Sequence, residues 1–283
     1  MAISVTAEEK QILAGVTIPP RPQALLDISK EAKQEYPDVS KIAKAISEDV
    51  GISAAVLQVV NSVAFRRNNQ ISSIHQAVMT LGIKRIFPLV KAVAIKGALP
   101  ENPMLNEFWQ SSSMVASACT LYANLLGKAN LSDNAYMLGL FHNAGVPVML
   151  QAFPAYQALL MRGITEGWGE VASLEVQEFK TSHTTLGALL AQQWELPKPM
   201  VEVIYYLHDI DGIFTSGELS EVGLYLLAIL KLARSSVDGV IRGECNTDEW
   251  LKIQDPLLAF LNLDEVQLDE FREEVAEKLR SEG

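Results

Sequence analysis

The chain has few cysteines and no long apolar run, and both absences limit what it can be. Its 283 residues include two cysteines, Cys119 and Cys245, far apart and outside any CxxC spacing. Neither a disulfide framework nor a structural zinc site is therefore indicated. No window holds eighteen uninterrupted apolar residues, and the opening "MAISVTAEEKQ" lacks the basic and apolar regions of a secretory signal. We expect a cytoplasmic protein without a membrane segment.

Acidic residues are missing from one stretch and concentrated in another. Residues 50–100 contain no Asp or Glu but six Lys and Arg side chains, whereas residues 244–283 contain twelve acids and four bases. The whole chain has a formal net charge of −11. That charge argues against direct nucleic-acid binding, which normally requires a basic face that neutralises phosphates.

The basic stretch has two interpretations. Charged runs are usually solvated helix faces, and that is the ordinary reading here. The alternative is a surface that contacts an anion, an acidic protein partner or the acidic end of the same chain. The candidate residues for such a binding surface are Arg66, Arg67, Lys84, Arg85 and Lys91.

Strand and hairpin patterns are absent, and apolar residues recur at helical spacing almost throughout. The segment "SKIAKAISEDVGISAAVLQVV" predicts two amphipathic helices broken near Gly51. Asn102 is a good N-cap for a helix of about six turns, with Pro103 in its first position. With 49% hydrophobic residues, the chain can bury a large core. We predict an all-α, multi-helix bundle.

Common catalytic motifs are missing too: there is no GxxxxGK[ST] loop, GxSxG elbow, HExxH pair or GxGxxG after a strand. The remaining candidates for chemistry are four histidines. Three of them, His142, His183 and His208, lie in or beside strongly apolar helices, where an imidazole needs a polar partner. They are either ordinary hydrogen-bonded core residues or parts of one shared polar pocket.

Several ordered motifs resemble the HDOD family, the HD-related output domain of bacterial signalling proteins. They are "IPPRPQALL", "DVSKIAKAISEDVGISAAVLQVVNSVAF", "ISSIHQAVMTLGIKRI", "YMLGLFHNAGVPVML" and "SHTTLGALLAQQWELPKPMVEVIYYLHD", within residues 18–210. The resemblance implies an extension at residues 1–17 and a domain at 18–213. That domain would comprise a helical subdomain (18–100) packed on an HD-like core (101–213). Residues 214–283, which resemble the family weakly or not at all, would be C-terminal helices packed on that core.

The parent HD family also indicates which residues to compare. In those phosphohydrolases a histidine, an adjacent His-Asp pair and a distant aspartate hold a divalent metal that activates water. In this chain the first histidine falls on Ser111, the pair on His142 and Asn143, and the distant aspartate on Arg234. Additional histidine positions of binuclear members match His183 and His208. The resemblance thus implies a degenerate pocket made of Ser111, Ser112, His142, Asn143, His183 and His208.

Three functions remain open. The first is a non-catalytic signalling module without a cofactor or catalytic residues, which binds a protein partner and, in one variant, a small anionic ligand. The second is a phosphohydrolase acting on a nucleotide or another phosphate ester. Its catalytic residues would be His142, Asn143, His183 and His208, and its three histidines would hold Zn, Mn or Fe; such a set suits zinc better than hard cations. The third is a pocket that binds a nucleotide second messenger without cleaving it.

The segment "HNAG" also has a purely structural interpretation. Asn143 and Gly145 can form a turn between two short helices. The His142 side chain would then bond to a backbone carbonyl, to Ser111 or to Ser112.

Overall fold

The computed structural model describes residues 7–62, 65, 70–99, 102–243 and 248–281. Within these residues every regular element is a helix and no strand occurs, which confirms the all-α prediction. The chain divides into two compact units, a smaller one of residues 19–99 and a larger one of residues 1–18 and 100–281. None of the described helices is both long and apolar enough to cross a bilayer.

The α-helices follow one another in the order α1 (Ala7–Leu13), α2 (Gln23–Ala32), α3 (Val39–Glu48), α4 (Val50–Val60), α5 (Ile74–Leu81), α6 (Ile83–Ala98), α7 (Asn106–Leu125), α8 (Ser132–Phe141), α9 (Gly145–Ala152), α10 (Gln157–Glu166), α11 (Val171–Phe179), α12 (His183–Gln193), α13 (Lys198–Tyr205), α14 (Glu221–Arg242), α15 (Asp248–Leu261) and α16 (Glu265–Arg280). Helices α2 to α6 form the smaller unit, and the others belong to the larger one.

Capping side chains set the helix boundaries in the smaller unit. The break between α3 and α4 lies at Asp49, and Gly51 is already inside α4. Asp49 has an extended backbone, and its carboxylate accepts a hydrogen bond from the Ile52 N–H at 2.9 Å. The break thus lies two residues before Gly51, near the predicted place, because the Asp49 carboxylate caps the start of α4.

The α7–α8 hairpin is the centre of the larger unit. Asn102 caps a short 3-10 turn (Pro103–Leu105) that leads into α7. Gly139 of α8 lies against α7 so closely that a Cβ there would be 2.7 Å from Ala116 Cα. This glycine allows the two helices to approach at backbone distance.

The C-terminal helices pack on that hairpin. Helix α14 contacts α7 and α8, and α16 contacts α7 and α14. On α16 the buried residues are Leu268, Val275 and Leu279, whereas Val266 is 67% exposed. The apolar face of α16 therefore includes Leu268 and excludes Val266.

Candidate functional site

Residues His142, Asn143 and Ala144 form the turn between α8 and α9, as the structural reading of "HNAG" predicts. The Nδ1 atom of His142 lies 2.7 Å from the Gly139 carbonyl oxygen. A carbonyl can only accept, so Nδ1 carries the hydrogen and Nε2 has a free lone pair. The partner of His142 is thus the backbone carbonyl, and neither Ser111 nor Ser112.

The surroundings of His142 keep its imidazole neutral. Burial lowers its pKa well below the usual value, and the positive charge of Arg234 lowers it further, while the Gly139 carbonyl acts in the opposite direction. Asn143 is only 2% exposed, and its side-chain oxygen has no hydrogen-bond partner among the described residues. The turn therefore presents an uncharged ring and an uncharged amide.

Gly145 brings this turn against the start of α12. A Cβ at this position would lie 1.9 Å from the His183 carbonyl oxygen and 2.6 Å from the Gly187 nitrogen. Only glycine permits such an approach. The close packing of α9 on α12 is what joins the His142 turn to the region of His183.

His183 is fully buried and is held by an equally buried carboxylate from α11. The Oε2 atom of Glu175 accepts hydrogen bonds from the His183 backbone N–H at 2.8 Å and from its Nδ1 at 2.7 Å. The Tyr156 hydroxyl donates to Oε1 of the same carboxylate at 2.5 Å. Burial alone would raise the pKa of Glu175, but His183 and the Tyr156 hydrogen bond hold it below its usual value. Glu175 is therefore ionised, and His183 carries its hydrogen on Nδ1.

His208 meets His183 through the opposite ring nitrogens. Their Nε2 atoms lie 3.3 Å apart, and the rings form an edge-to-face pair with centroids 5.3 Å apart. One Nε2 donates a hydrogen bond to the other, and the tautomers of the two rings decide which of them is the donor. Burial lowers the pKa of His208 to about 4. Its Nδ1 is buried and has no hydrogen-bond partner in the described part of the chain.

An ionic cluster lies next to His208. Glu249 of α15 is in close contact with the Lys231 ammonium, and its oxygens lie 3.5 and 3.4 Å from the Arg234 guanidinium nitrogens. Lys231 also donates to the Leu207 carbonyl at 2.5 Å. Burial would raise the pKa of Glu249, but Arg234, Lys231 and His208 together hold it well below its usual range. Burial lowers the pKa of Lys231 to about 8.

A tryptophan covers one side of this assembly. The Trp168 ring packs edge-to-face on His183, with centroids 5.4 Å apart, and is itself buried. A Cβ at Gly163 would lie 2.6 Å from the Trp168 ring, so this glycine makes room for the indole. The indole excludes water from His183.

Several of these residues were not predicted from the sequence: Tyr156, Trp168, Glu175, Lys231 and Glu249. The sequence reading assigned charged residues to solvated helix faces, whereas the charged side chains of this set lie largely in the protein interior. One signal was available, because Glu175 follows the apolar Val171 by one helical turn and so lies on the same face of its helix.

The two predicted serines differ in their positions. Ser112 is buried and precedes Ala116 by one turn, on the α7 face that meets α8. In the antiparallel hairpin this is the end nearest His142. Ser111 is only half-buried.

The predicted basic surface is only partly described. Arg66 and Arg67 lie outside the described residues. Lys84 is exposed, and the half-buried Arg85 places its guanidinium 5.9 Å from the Phe65 ring centroid. Lys91 is 8% exposed, so its inclusion in an accessible surface was wrong. It lies on the inner side of α6, where its ammonium is 5.1 Å from the Phe87 ring centroid.

The histidines of the pocket can be compared with the ligands that the divalent metal of an HD phosphohydrolase requires. Two imidazole nitrogens bound tetrahedrally to zinc at about 2.05 Å would be about 3.3 Å apart, which is the His183–His208 spacing. However, no group of three or more His, Cys, Asp or Glu side chains in the described ranges could hold a metal ion. The nearby Glu249 is already engaged by two cationic side chains. The set His142, His183 and His208 therefore does not fit a resident divalent metal.

Comparison with known proteins agrees with this architecture. The model of the HDOD domain matches residues 18–210. The chain belongs to the HDOD family. An uncharacterized protein of Treponema pallidum (strain Nichols) is 27% identical over 194 residues, which are 68% of this chain and 38% of that protein. The HDOD chain thus spans well under half the length of this relative.

Solved structures share the fold over nearly the whole chain. A protein named "Putative phosphohydrolase" from Shewanella amazonensis SB2B has a TM-score of 0.71 at 22% identity and covers 99% of both chains. One named "Putative signal transduction protein" from Marinobacter aquaeolei VT8 has a TM-score of 0.66 at 19% identity, over 99% of this chain and 62% of its own. At these identities the similarity shows the fold alone. It extends over the C-terminal helices, beyond the family match.

Proposed function

We propose that this HDOD chain is a non-catalytic regulatory module that acts in the cytoplasm by binding a protein partner of a signalling pathway. The observation that carries the proposal is the ion pairing of Glu249 with Lys231 and Arg234 beside His208. Arg234 falls where the resemblance to the HD family requires an acidic ligand, and together with Lys231 it already balances the Glu249 carboxylate. A divalent cation would be repelled by both.

The His142 turn supports the same conclusion. A hydrolase of the HD type needs a carboxylate beside the histidine to offset the metal charge and to orient the attacking water. Asn143 offers a neutral amide, and Arg234 contributes to the lowered pKa of His142. The pocket has become a buried polar scaffold whose groups mostly satisfy one another.

The partner surface that we propose includes Lys84 and Arg85 of the smaller unit. Both lie in the stretch without acids, residues 50–100. Protein surfaces normally carry charges of both signs. A stretch whose charged residues are all basic therefore favours an acidic partner. The name of the Marinobacter aquaeolei neighbour, a signal transduction protein, is consistent with such a role.

Charge reversal tests this surface. The Lys84→Glu/Arg85→Glu variant and the wild type would each be used as bait in quantitative affinity capture from cells that produce the protein. Lys33→Glu/Lys252→Glu is the matched control, because both lysines are exposed and the change in net charge is the same. We expect the first variant to lose the captured acidic proteins and the control to retain them. Identical captures by all three baits would contradict the assignment.

A second assay separates this function from its alternatives. The purified chain, loaded in turn with Zn²⁺, Mn²⁺ and Fe²⁺, would be assayed for hydrolysis of nucleotide mono- and diesters beside a His142→Ala/His183→Ala variant. We expect equal background rates. A rate that falls at least tenfold in the variant would instead establish a metal-dependent phosphohydrolase. Equilibrium dialysis against the same nucleotides detects second-messenger binding without cleavage.

A further inference from the structure

A cationic pocket in the larger unit is filled by a carboxylate of the chain itself. We define the cationic pocket as Lys231 and Arg234 together with the neutral ring of His208, whose nitrogen atoms surround the Glu249 side chain. Glu249 is the second residue of α15, beyond the residues that match the family model. Two cationic side chains that enclose an anion are the components of an anion-binding site.

The carboxylate fits this pocket poorly. Only its contact with Lys231 is short, whereas both nitrogens of Arg234 are 3.4 to 3.5 Å from it. Guanidinium–carboxylate bonds are ordinarily about 2.7 to 2.9 Å long. His208 Nδ1 is 3.4 Å from the carboxylate without forming a hydrogen bond. The nitrogens of Arg234 and His208 therefore lie too far from this carboxylate for hydrogen bonds of ordinary length.

The geometry also allows a ligand from solvent to replace the Glu249 carboxylate. Glu249 and Arg234 each retain 13% side-chain exposure, so the pocket reaches the surface. Gly169 lies beside the carboxylate, and a Cβ there would be 3.2 Å from Glu249 Oε2. Because Glu249 stands in the first turn of its helix, it can leave without unfolding the rest of α15.

We propose that the cationic pocket binds a phosphate group, and that Glu249 is an intramolecular substitute which this ligand displaces. A tetrahedral phosphate offers oxygens both to the guanidinium fork and to the ammonium. The buried Nδ1 atom of His208, which has no hydrogen-bond partner among the described residues, offers a further contact for a phosphate oxygen. Displacement of Glu249 would move the first turn of α15 and so link ligand binding to the C-terminal helices. The inference goes beyond the proposed function, since partner binding through Lys84 and Arg85 does not require it.

A tethered competitor weakens the apparent affinity for a free ligand, because the pocket is vacant for only a fraction of the time. Removal of the Glu249 carboxylate should therefore reveal the site. Inorganic phosphate and AMP would be titrated calorimetrically, at constant ionic strength, into the wild type, Glu249→Ala and Asp255→Ala. Asp255 is the matched control because it is an exposed acid of the same helix.

We expect Glu249→Ala to bind phosphate at least tenfold more tightly than the wild type and Asp255→Ala, and Arg234→Gln in the same background to abolish the gain. AMP binding more tightly than phosphate would indicate a nucleotide source, and equal affinities would indicate recognition of the phosphate group alone. A folded Glu249→Ala that binds phosphate no better than Asp255→Ala would overturn the inference.

Glu249→Ala leaves two buried cations without their anion, so the variant could lose its fold. In that case circular dichroism replaces calorimetry. Recovery of helical signal on addition of phosphate, but not of chloride at equal ionic strength, supports the site, and no recovery overturns it. None of these outcomes bears on capture by the Lys84 and Arg85 surface, so the proposed function stands or falls separately.

Discussion

The Nε2 atoms of His183 and His208 lie 3.3 Å apart in the interior of the larger unit. Each ring has a carboxylate on its other side, since Glu175 accepts from His183 Nδ1 and Glu249 lies 3.4 Å from His208 Nδ1. Carboxylates behind paired histidines are the usual outer shell of a metal site. Here a hydrogen bond joins the two rings instead, and the histidines act as structural links between α12, the end of α13 and the C-terminal helices.

The contact of Gly145 with His183 gives the first stability prediction. Gly145→Ala should lower the free energy of unfolding by about 3 kcal/mol or more, because its methyl group would overlap the backbone of α12. The cost is steric, since Gly145 has no positive φ angle. Urea unfolding followed by circular dichroism measures it.

The control for that experiment is Gly97→Ala. Gly97 lies inside α6 with nothing within 4 Å of an added Cβ. Alanine there should stabilise by about 0.5 to 1 kcal/mol, the usual gain at a helical glycine. Equal effects at the two positions would mean that the close packing of α9 on α12 does not contribute to stability.

The buried carboxylate of Glu175 gives the second prediction. Glu175→Ala should lower the free energy of unfolding by about 3 to 5 kcal/mol, because it leaves the His183 N–H groups and the Tyr156 hydroxyl without their acceptor. Tyr156→Phe removes one of these bonds and should cost about 1.5 to 3 kcal/mol. Glu178→Ala, an exposed acid on the same helix, should stay within about 0.5 kcal/mol of the wild type. Chemical denaturation of the four proteins checks the order.

The lowered pKa values of His142 and His208 make the stability of the fold depend on pH. The pKa of His208 is lowered to about 4 in the folded protein, from an ordinary 6.5. Between these values the unfolded chain binds the proton and the folded chain does not, so stability is full above pH 6.5 and falls as the pH drops towards 4. From His208 alone we expect a loss of about 2 kcal/mol between pH 7 and 5. The lowered pKa of His142 acts in the same direction.

Denaturant midpoints at pH 7, 6 and 5 measure this loss. His208→Asn should reduce the pH dependence by about 2 kcal/mol, whereas His75→Gln, at an exposed histidine of the smaller unit, should leave it unchanged. A pH dependence that is the same in all three proteins would show that His208 is not held neutral by its surroundings.

Local rules determined much of this protein. Apolar residues at three- and four-residue spacing fixed the helices, because one face of each must be buried. The order of motifs in residues 18–210 identified the family, and the "HNAG" turn was predicted from its turn-forming residues, with a backbone carbonyl as one of three alternative partners of His142. These features depend on neighbours in the chain, which a sequence displays directly.

The contents of the site were decided by tertiary structure. Glu175 is eight residues from His183, whereas Glu249 is forty-one residues from His208, and neither separation predicts a contact. Whether a charged residue is solvated or buried depends on which helix packs over it, and the sequence cannot supply that information for Lys231. Helical periodicity determined which residues share a face, but only the packing of α14 and α15 decided that Lys231, Arg234 and the Glu249 carboxylate lie together beside His208.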